Sequence, residues 1–258
     1  MTEKTLNNRK NGMVVLLLLV LAYVASVVLF IFGVSYDILP LTLISCVWFV
    51  FGWIFFLGLK VLKPQEALVL TLFGKYVGTL KNSGFYFVNP FCTAVNPAAG
   101  TKLNQSGDVK VLGAKQPSGG VDVSIDIPTK KISLKIMTLN NNRQKINDCL
   151  GNPVEIGIAV MWRVVDTAKA VFNVDNYKEY LSLQCDSALR NIVRIYPYDI
   201  APNVDTTGDG IADEGSLRGS SEVVAARIKD EIQDKVSEAG IEILEARITY
   251  LAYAPEIA

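Results

Sequence analysis

Two uncharged apolar runs, separated by six residues at the N-terminal end, constrain this chain more than any other feature. Met13 to Val34 contains no charged residue. As a helix it would rise about 33 Å, enough for the roughly 30 Å hydrocarbon core of a bilayer. A second run starts at Leu41, is uncharged to Leu59 and carries Trp48 and Trp53. Only Ser35 to Pro40 joins them, so a helical hairpin is expected over residues 13–63, with segments 13–34 and 41–62. Two core helices of a soluble protein would each show a polar face, and these do not. A secretory signal would be shorter and followed by a small-x-small cleavage site.

The flanking charges set the expected orientation. Lys4, Arg9 and Lys10 lie in the tail, residues 1–12; Lys60 and Lys63 follow the second run, and the turn contains only Asp37. The positive-inside rule then puts both ends on the cytoplasmic face of a plasma or inner membrane. If Pro40, Gly52 and Gly58 bend the second run into a re-entrant wedge, both ends still emerge together.

Composition excludes several function classes. Lys plus Arg equals Asp plus Glu at 25 each, so no global positive field attracts nucleic acid. With no histidine, there is no Ser-His-Asp triad, Cys-His pair or His-ligated metal. Ser-Lys dyads and carboxylate pairs remain chemically open, but no motif places either. Cys46, Cys92, Cys149 and Cys185 show neither disulfide nor zinc spacing. No enzyme activity and no cofactor are expected.

Beyond Lys63 the texture is that of soluble protein. Glu66–Phe73, Tyr76–Leu80 and Phe85–Val88 read as short strands punctuated by Gly74-Lys75 and Asn89-Pro90. Val121, Val123, Ile125 and Ile127 alternate with polar residues, as do Ile132, Leu134 and Ile136. Val154, Ile156, Ile158, Val160, Trp162 and Val164 keep a period of two, which predicts a long half-buried strand. The period then changes: Tyr177, Leu181, Cys185, Ala188 and Ile192 predict a helix over Asn176–Tyr196, ended by Pro197. Val224, Ile228, Ile232 and Val236 predict another, from Ser220-Ser221 to Gly240, with Arg227, Glu231 and Lys235 four apart on its other face. Ile241–Tyr250 returns to strand. The fold class is α+β.

Ordered motifs then suggest a family. Pro64-Gln65-Glu66-Ala67, Phe73-Gly74-Lys75-Tyr76 and Gly84-Phe85-Tyr86-Phe87-Val88-Asn89-Pro90-Phe91 resemble the entry to SPFH (band-7; stomatin/prohibitin/flotillin) domains, where a hairpin lies against the headgroups. Asn147-Asp148, Gly151-Asn152-Pro153-Val154, Trp162-Arg163-Val164-Val165-Asp166, Ala188-Leu189-Arg190, Tyr196-Pro197-Tyr198-Asp199, Ser216-Leu217-Arg218-Gly219 and Tyr253-Ala254-Pro255-Glu256-Ile257-Ala258 resemble the rest, in order. Prokaryotic stomatin-like members are the nearest in pattern. The resemblance implies an SPFH domain over 64–250 and ring- or cage-shaped homo-oligomers that organise a membrane microdomain. As an alternative, it implies a regulatory partner that encloses or gates a membrane protease or that protease's partner protein. It also implies a long charged helix after residues 251–258, at the start of which this chain stops.

Three groups of residues are candidate sites. Asp205, Asp209 and Asp213, with Gly210, resemble a calcium loop. With Asp205 as the first ligand, however, the twelfth position is Ser216 instead of a bidentate Glu, so a solvated acidic loop is the competing reading. Trp48, Trp53, Phe85, Phe87 and Phe91 are candidates for contact with membrane lipids at the interface, although Phe85 and Phe87 could equally face a core. Arg190 and Arg194, with Asp186 four before Arg190, are either subunit contacts or a solvated helix face.

Overall fold

With neither a charge nor a helix breaker to interrupt it, the first apolar run forms one helix, α1 (Gly12–Ser35). The computed structural model describes residues 2–6, 11–103, 109–111, 129–199 and 215–255. Asp37 turns the chain with a φ of 55°. Pro40 then lies in the first turn of α2 (Leu39–Phe51), where its missing N–H has no intrahelical acceptor to lose. At Gly52 the helix tightens to a 3-10 winding that runs to Gly58.

The second segment, expected over 41–62, therefore stops short. Leu59–Leu62 is strand β1, because it finds a pairing partner further along the chain. Strands β2 (Glu66–Leu72), β3 (Lys75–Leu80), β4 (Gly84–Phe87) and β5 (Cys92–Ala94) follow. β1 pairs antiparallel with β4, Leu59 opposite Phe87 and Leu62 opposite Gly84. β2 is flanked by β3 and β5. Leu62, Leu68, Leu70, Leu80, Tyr86, Val88 and Cys92 form the core of this unit, each large side chain contributing about 1.5–3 kcal/mol by burial.

The two membrane-type helices pack through small residues, Gly33 of the first against Thr42 and Gly52 of the second against Tyr23. α1 buries Gly12, Leu19, Ser26 and Gly33, and the second arm buries Ser45, Gly52 and Gly58. Small side chains let helix backbones approach where lipid supplies no hydrophobic drive. The Ser26 and Ser45 hydroxyls donate to carbonyls of their own helices, Tyr23 O at 2.8 Å and Leu41 O at 2.9 Å, so neither donor is left unmet. The other faces of the hairpin expose Leu, Val, Ile and Phe side chains.

The structure divides into two compact units: Glu3–Val95 with Lys130–Ile132, and the remainder. The second unit contains β6 (Thr101–Leu103) and β7 (Val109–Val111), paired with each other. β8 (Ile132–Ser133) begins at Ile132, which is buried beside β2. The strand expected through Ile132, Leu134 and Ile136 is cut to these two residues, and Ile136 is exposed. β9 (Met137–Asn147), β10 (Pro153–Val164), α3 (Thr167–Phe172), α4 (Tyr177–Val193), α5 (Ser221–Val236) and β11 (Ile241–Tyr253) complete the chain.

β10 is the central strand between β11 and β9. All its even-numbered residues from Val154 to Val164 are buried, as the alternation requires. β9 was not legible: its Asn140-Asn141-Asn142-Arg143-Gln144-Lys145 run is polar throughout, and pairing with β10 is what makes it a strand. Asn176 caps α4, accepting from the Lys178 and Glu179 amides, and Asp166 caps α3 through the Lys169 amide. Gly240, with a φ of 66°, sits against Asp166; its carbonyl accepts from both the Val165 and Asp166 amides, tying the end of β10 to the start of β11.

On α4, Asp186 does not serve Arg190 directly. Its Oδ1 accepts from Asn141 at 2.5 Å and Gln144 at 2.6 Å, and Arg190 Nε donates to the side-chain Oε1 of Gln144 at 3.4 Å. On α5, Glu231 and Lys235 pair at 2.9 Å, while Arg227 lies over the Tyr196 ring. The alternation at Val121–Ile127, the proposed calcium ligands Asp205, Asp209 and Asp213, and Glu256–Ala258 lie outside the described residues.

Candidate membrane interface

Gly12–Ser35 and Leu39–Gly58 are both long and apolar enough to cross a membrane, with mean hydropathies of 3.2 and 2.1. The first rises about 36 Å as an α-helix; the second rises about 33 Å once its 3-10 part is counted at about 2.0 Å per residue. Each exceeds the roughly 30 Å of hydrocarbon in a bilayer.

Both arms end on the same β unit. Gly12, at the start of α1, packs so tightly on Phe85 that a Cβ would come within 2.8 Å of that residue. Gly58, at the end of the second arm, lies against Phe87, and the Val88 amide donates to the Gly58 carbonyl at 2.9 Å. Phe85 and Phe87 are thus half-buried clamps on the two helix ends, while Tyr86 between them points into the core and donates its hydroxyl to Asn82 O. The alternation of β4 assigns these opposite tasks.

Phe91 is different. The Asn89-Pro90-Phe91-Cys92 turn is closed by the Cys92 amide on Asn89 O at 2.9 Å, and the Asn89 side chain accepts from the Phe91 amide at 3.0 Å. That turn leaves Phe91 58% exposed. It is three positions after Val88, so it lies within about 11 Å of that residue by chain length alone.

Register brings a residue beside it that the sequence did not single out. Leu72 pairs with Cys92, which places Phe73 next to Phe91, ring centroids 6.3 Å apart and stacked. Phe73 is 87% exposed and has a φ of 48°; Gly74 follows at 83°. A two-residue hairpin loop with both residues at positive φ normally selects Asn-Gly, and a bulky side chain there is strained. The signal available in the sequence was a Phe where a turn residue belongs. Lys75, exposed, is two residues from Phe73.

Trp53 lies on the 3-10 arm and is 56% exposed, five residues short of Gly58. Trp48 is about 14 Å along the arm from Leu39, near mid-hairpin. There it stacks with Phe55 and sits against Tyr23. Its indole N–H is buried with no hydrogen-bond partner among the described residues.

The electrostatics outside the hairpin are mild. Burial works against the Glu66 carboxylate, but the Lys131 ammonium at 2.9 Å, the Lys63 amide and both lysine charges outweigh it and hold its pKa below the usual value. Burial raises the Cys92 thiol, with Lys60 opposing, and raises Cys185 further with help from Asp186. Neither is an activated nucleophile. Among the described residues no group of His, Cys, Asp and Glu could hold a metal ion.

A two-armed apolar hairpin closed on a small β unit, followed by an α+β unit, defines a class of membrane-associated protein. Residues 60–258 match the SPFH domain / Band 7 family. The chain belongs to that family, whose members are generally membrane-associated scaffolds that form oligomers. No curated protein matches the chain significantly.

Proposed function

We propose that this protein is a membrane-anchored scaffold whose copies assemble side by side into a ring or cage that encloses a patch of membrane. The hairpin is the anchor, and the chain beyond Lys63 lies on the cytoplasmic face. The observation that supports this reading is the closure of both hairpin arms on one β unit, the same unit that carries the exposed, stacked Phe73–Phe91 pair. Aromatic rings are favoured at the headgroup level, and Lys60, Lys63 and Lys75 on the same unit attract anionic lipids. A hairpin and an aromatic pair together fix the tilt of the unit, and many such contacts in a closed assembly add by avidity.

The test is extraction of the full chain in a gentle detergent, followed by imaging of single particles. Closed assemblies of many copies are expected. A uniform monomer or dimer refutes the scaffold reading.

A further inference from the structure

Glu3–Leu6 is not a loose tail. The Leu6 amide donates to Thr79 O at 2.8 Å, and the Thr79 amide donates to Lys4 O at 2.8 Å, a parallel bridge centred on Thr5 and Thr79. β3 is the outer strand of its sheet, with β2 on the other side. The tail therefore lies along the edge that β3 would otherwise present to solvent.

The side chains are fitted as well as the backbone. Glu3 Oε2 accepts from Lys81 Nζ at 2.6 Å. The Lys4 amide donates to the Tyr76 hydroxyl at 3.2 Å, and that hydroxyl shares a hydrogen bond with Thr79 Oγ1 at 2.9 Å. Leu6 packs onto the core that contains Leu62, Leu68 and Leu80. It does so over Gly78, where a Cβ would come within 2.6 Å of the Leu6 Cγ. A carboxylate subsite at Lys81, two backbone bonds at Thr79 and an apolar socket over Gly78 make up a short recognition groove.

We propose that the β3 edge is a strand-docking site and that the chain's own Glu3–Leu6 is its ligand, acting as a displaceable plug. An open sheet edge is a template for pairing with another chain, and parallel addition of an extended segment is a known mode of peptide capture. The plug blocks that edge. It also ties the residues before α1 to the unit that follows the second arm, so the hairpin is closed at both ends. Two backbone–backbone bonds, one amide–hydroxyl bond, one ion pair and a single leucine contact are a small hold, which is what displacement requires.

The experiment is hydrogen exchange of the full chain in lipid nanodiscs, read at the Thr79 amide, with the Ile158 amide of β10 as a control. Leu6→Asp removes the apolar anchor, and Gly78→Val fills its socket. Each is expected to speed exchange at Thr79 by about tenfold while leaving Ile158 unchanged. A synthetic peptide with the sequence of residues 2–7 is then added. It is expected to restore protection in the Leu6→Asp protein and not in the Gly78→Val protein, whose socket is blocked. Unaltered exchange at Thr79 in both variants, or a peptide that fails to protect the Leu6→Asp protein, overturns the proposal. Equal rescue of both variants overturns it too, because the socket would then select nothing.

Discussion

The Arg143 guanidinium lies 3.6 Å from the centre of the Tyr250 ring, although the two residues belong to strands that are not neighbours. β10 runs between them and presents Gly157 at that level, with the register shifting there against both β9 and β11. Gly157, paired with Tyr250, adds no side chain of its own between the two strands. Gly157→Val is expected to destabilise the sheet by about 1–3 kcal/mol through overpacking. A double-mutant cycle of Arg143→Ala and Tyr250→Ala is expected to give a coupling of about 0.5–1 kcal/mol in the parent and none in the valine background. Denaturant melts of the detergent-solubilised chain measure both.

Asp148 is 5% exposed and accepts four hydrogen bonds: from the Leu150, Asn152 and Tyr198 amides and from the Asn152 side chain. It closes the β9–β10 turn and fastens the segment after α4 to it. Asp148→Ala strands three backbone donors, and a loss of about 3 kcal/mol is expected in the same melts. Asp148→Asn keeps one acceptor and is expected to fall between.

Phe73→Gly separates stability from membrane contact. It relieves a side chain from positive φ but loosens the unfolded chain, so stability is expected to hold within about 1 kcal/mol. Interfacial contact is expected to weaken, seen as greater access of aqueous quenchers to a fluorophore on Lys75→Cys. Equal access in both proteins counts against the interfacial role of Phe73.

Acid should act on the first unit through Glu66. Its pKa is lowered in the fold, so the stability it contributes is fully present above the ordinary glutamate value of 4.5. That contribution is lost as pH falls through the lower folded value. Glu66→Gln is expected to lower stability at neutral pH and to flatten this part of the acid profile, followed by melts from neutral pH downward.

The hairpin can be opened from within. A Cβ at Gly33 would come 2.7 Å from the Thr42 Cγ2. Gly33→Leu is therefore expected to lower the thermal midpoint of the hairpin in micelles, whereas Leu29→Ala, on the exposed face, is expected to leave it nearly unchanged. Circular dichroism on heating distinguishes the two.

What could be read along the chain and what could not divide by the range of the interaction. The apolar hairpin, the alternation of β10 and the stripes of α4 and α5 follow from side chains whose partition between water and an apolar surround is decided locally. Tertiary structure decided the rest. β9 is a strand because β10 offers it hydrogen bonds, Leu59–Leu62 leaves the helix because β4 does the same, and Asp186 turns to Asn141 and Gln144 because β9 passes beside α4. Of the aromatic candidates, register and pleat assigned Phe85 and Phe87 to clamping the helices. They left Phe91 exposed and brought Phe73 to it from a turn where no periodicity pointed. Backbone pairing carries no side-chain signature of its own. The sequence by itself therefore determined two apolar segments of membrane-spanning length and an α+β body of this family, and only the fold decided which rings stay exposed and that residues 3–6 close the β3 edge.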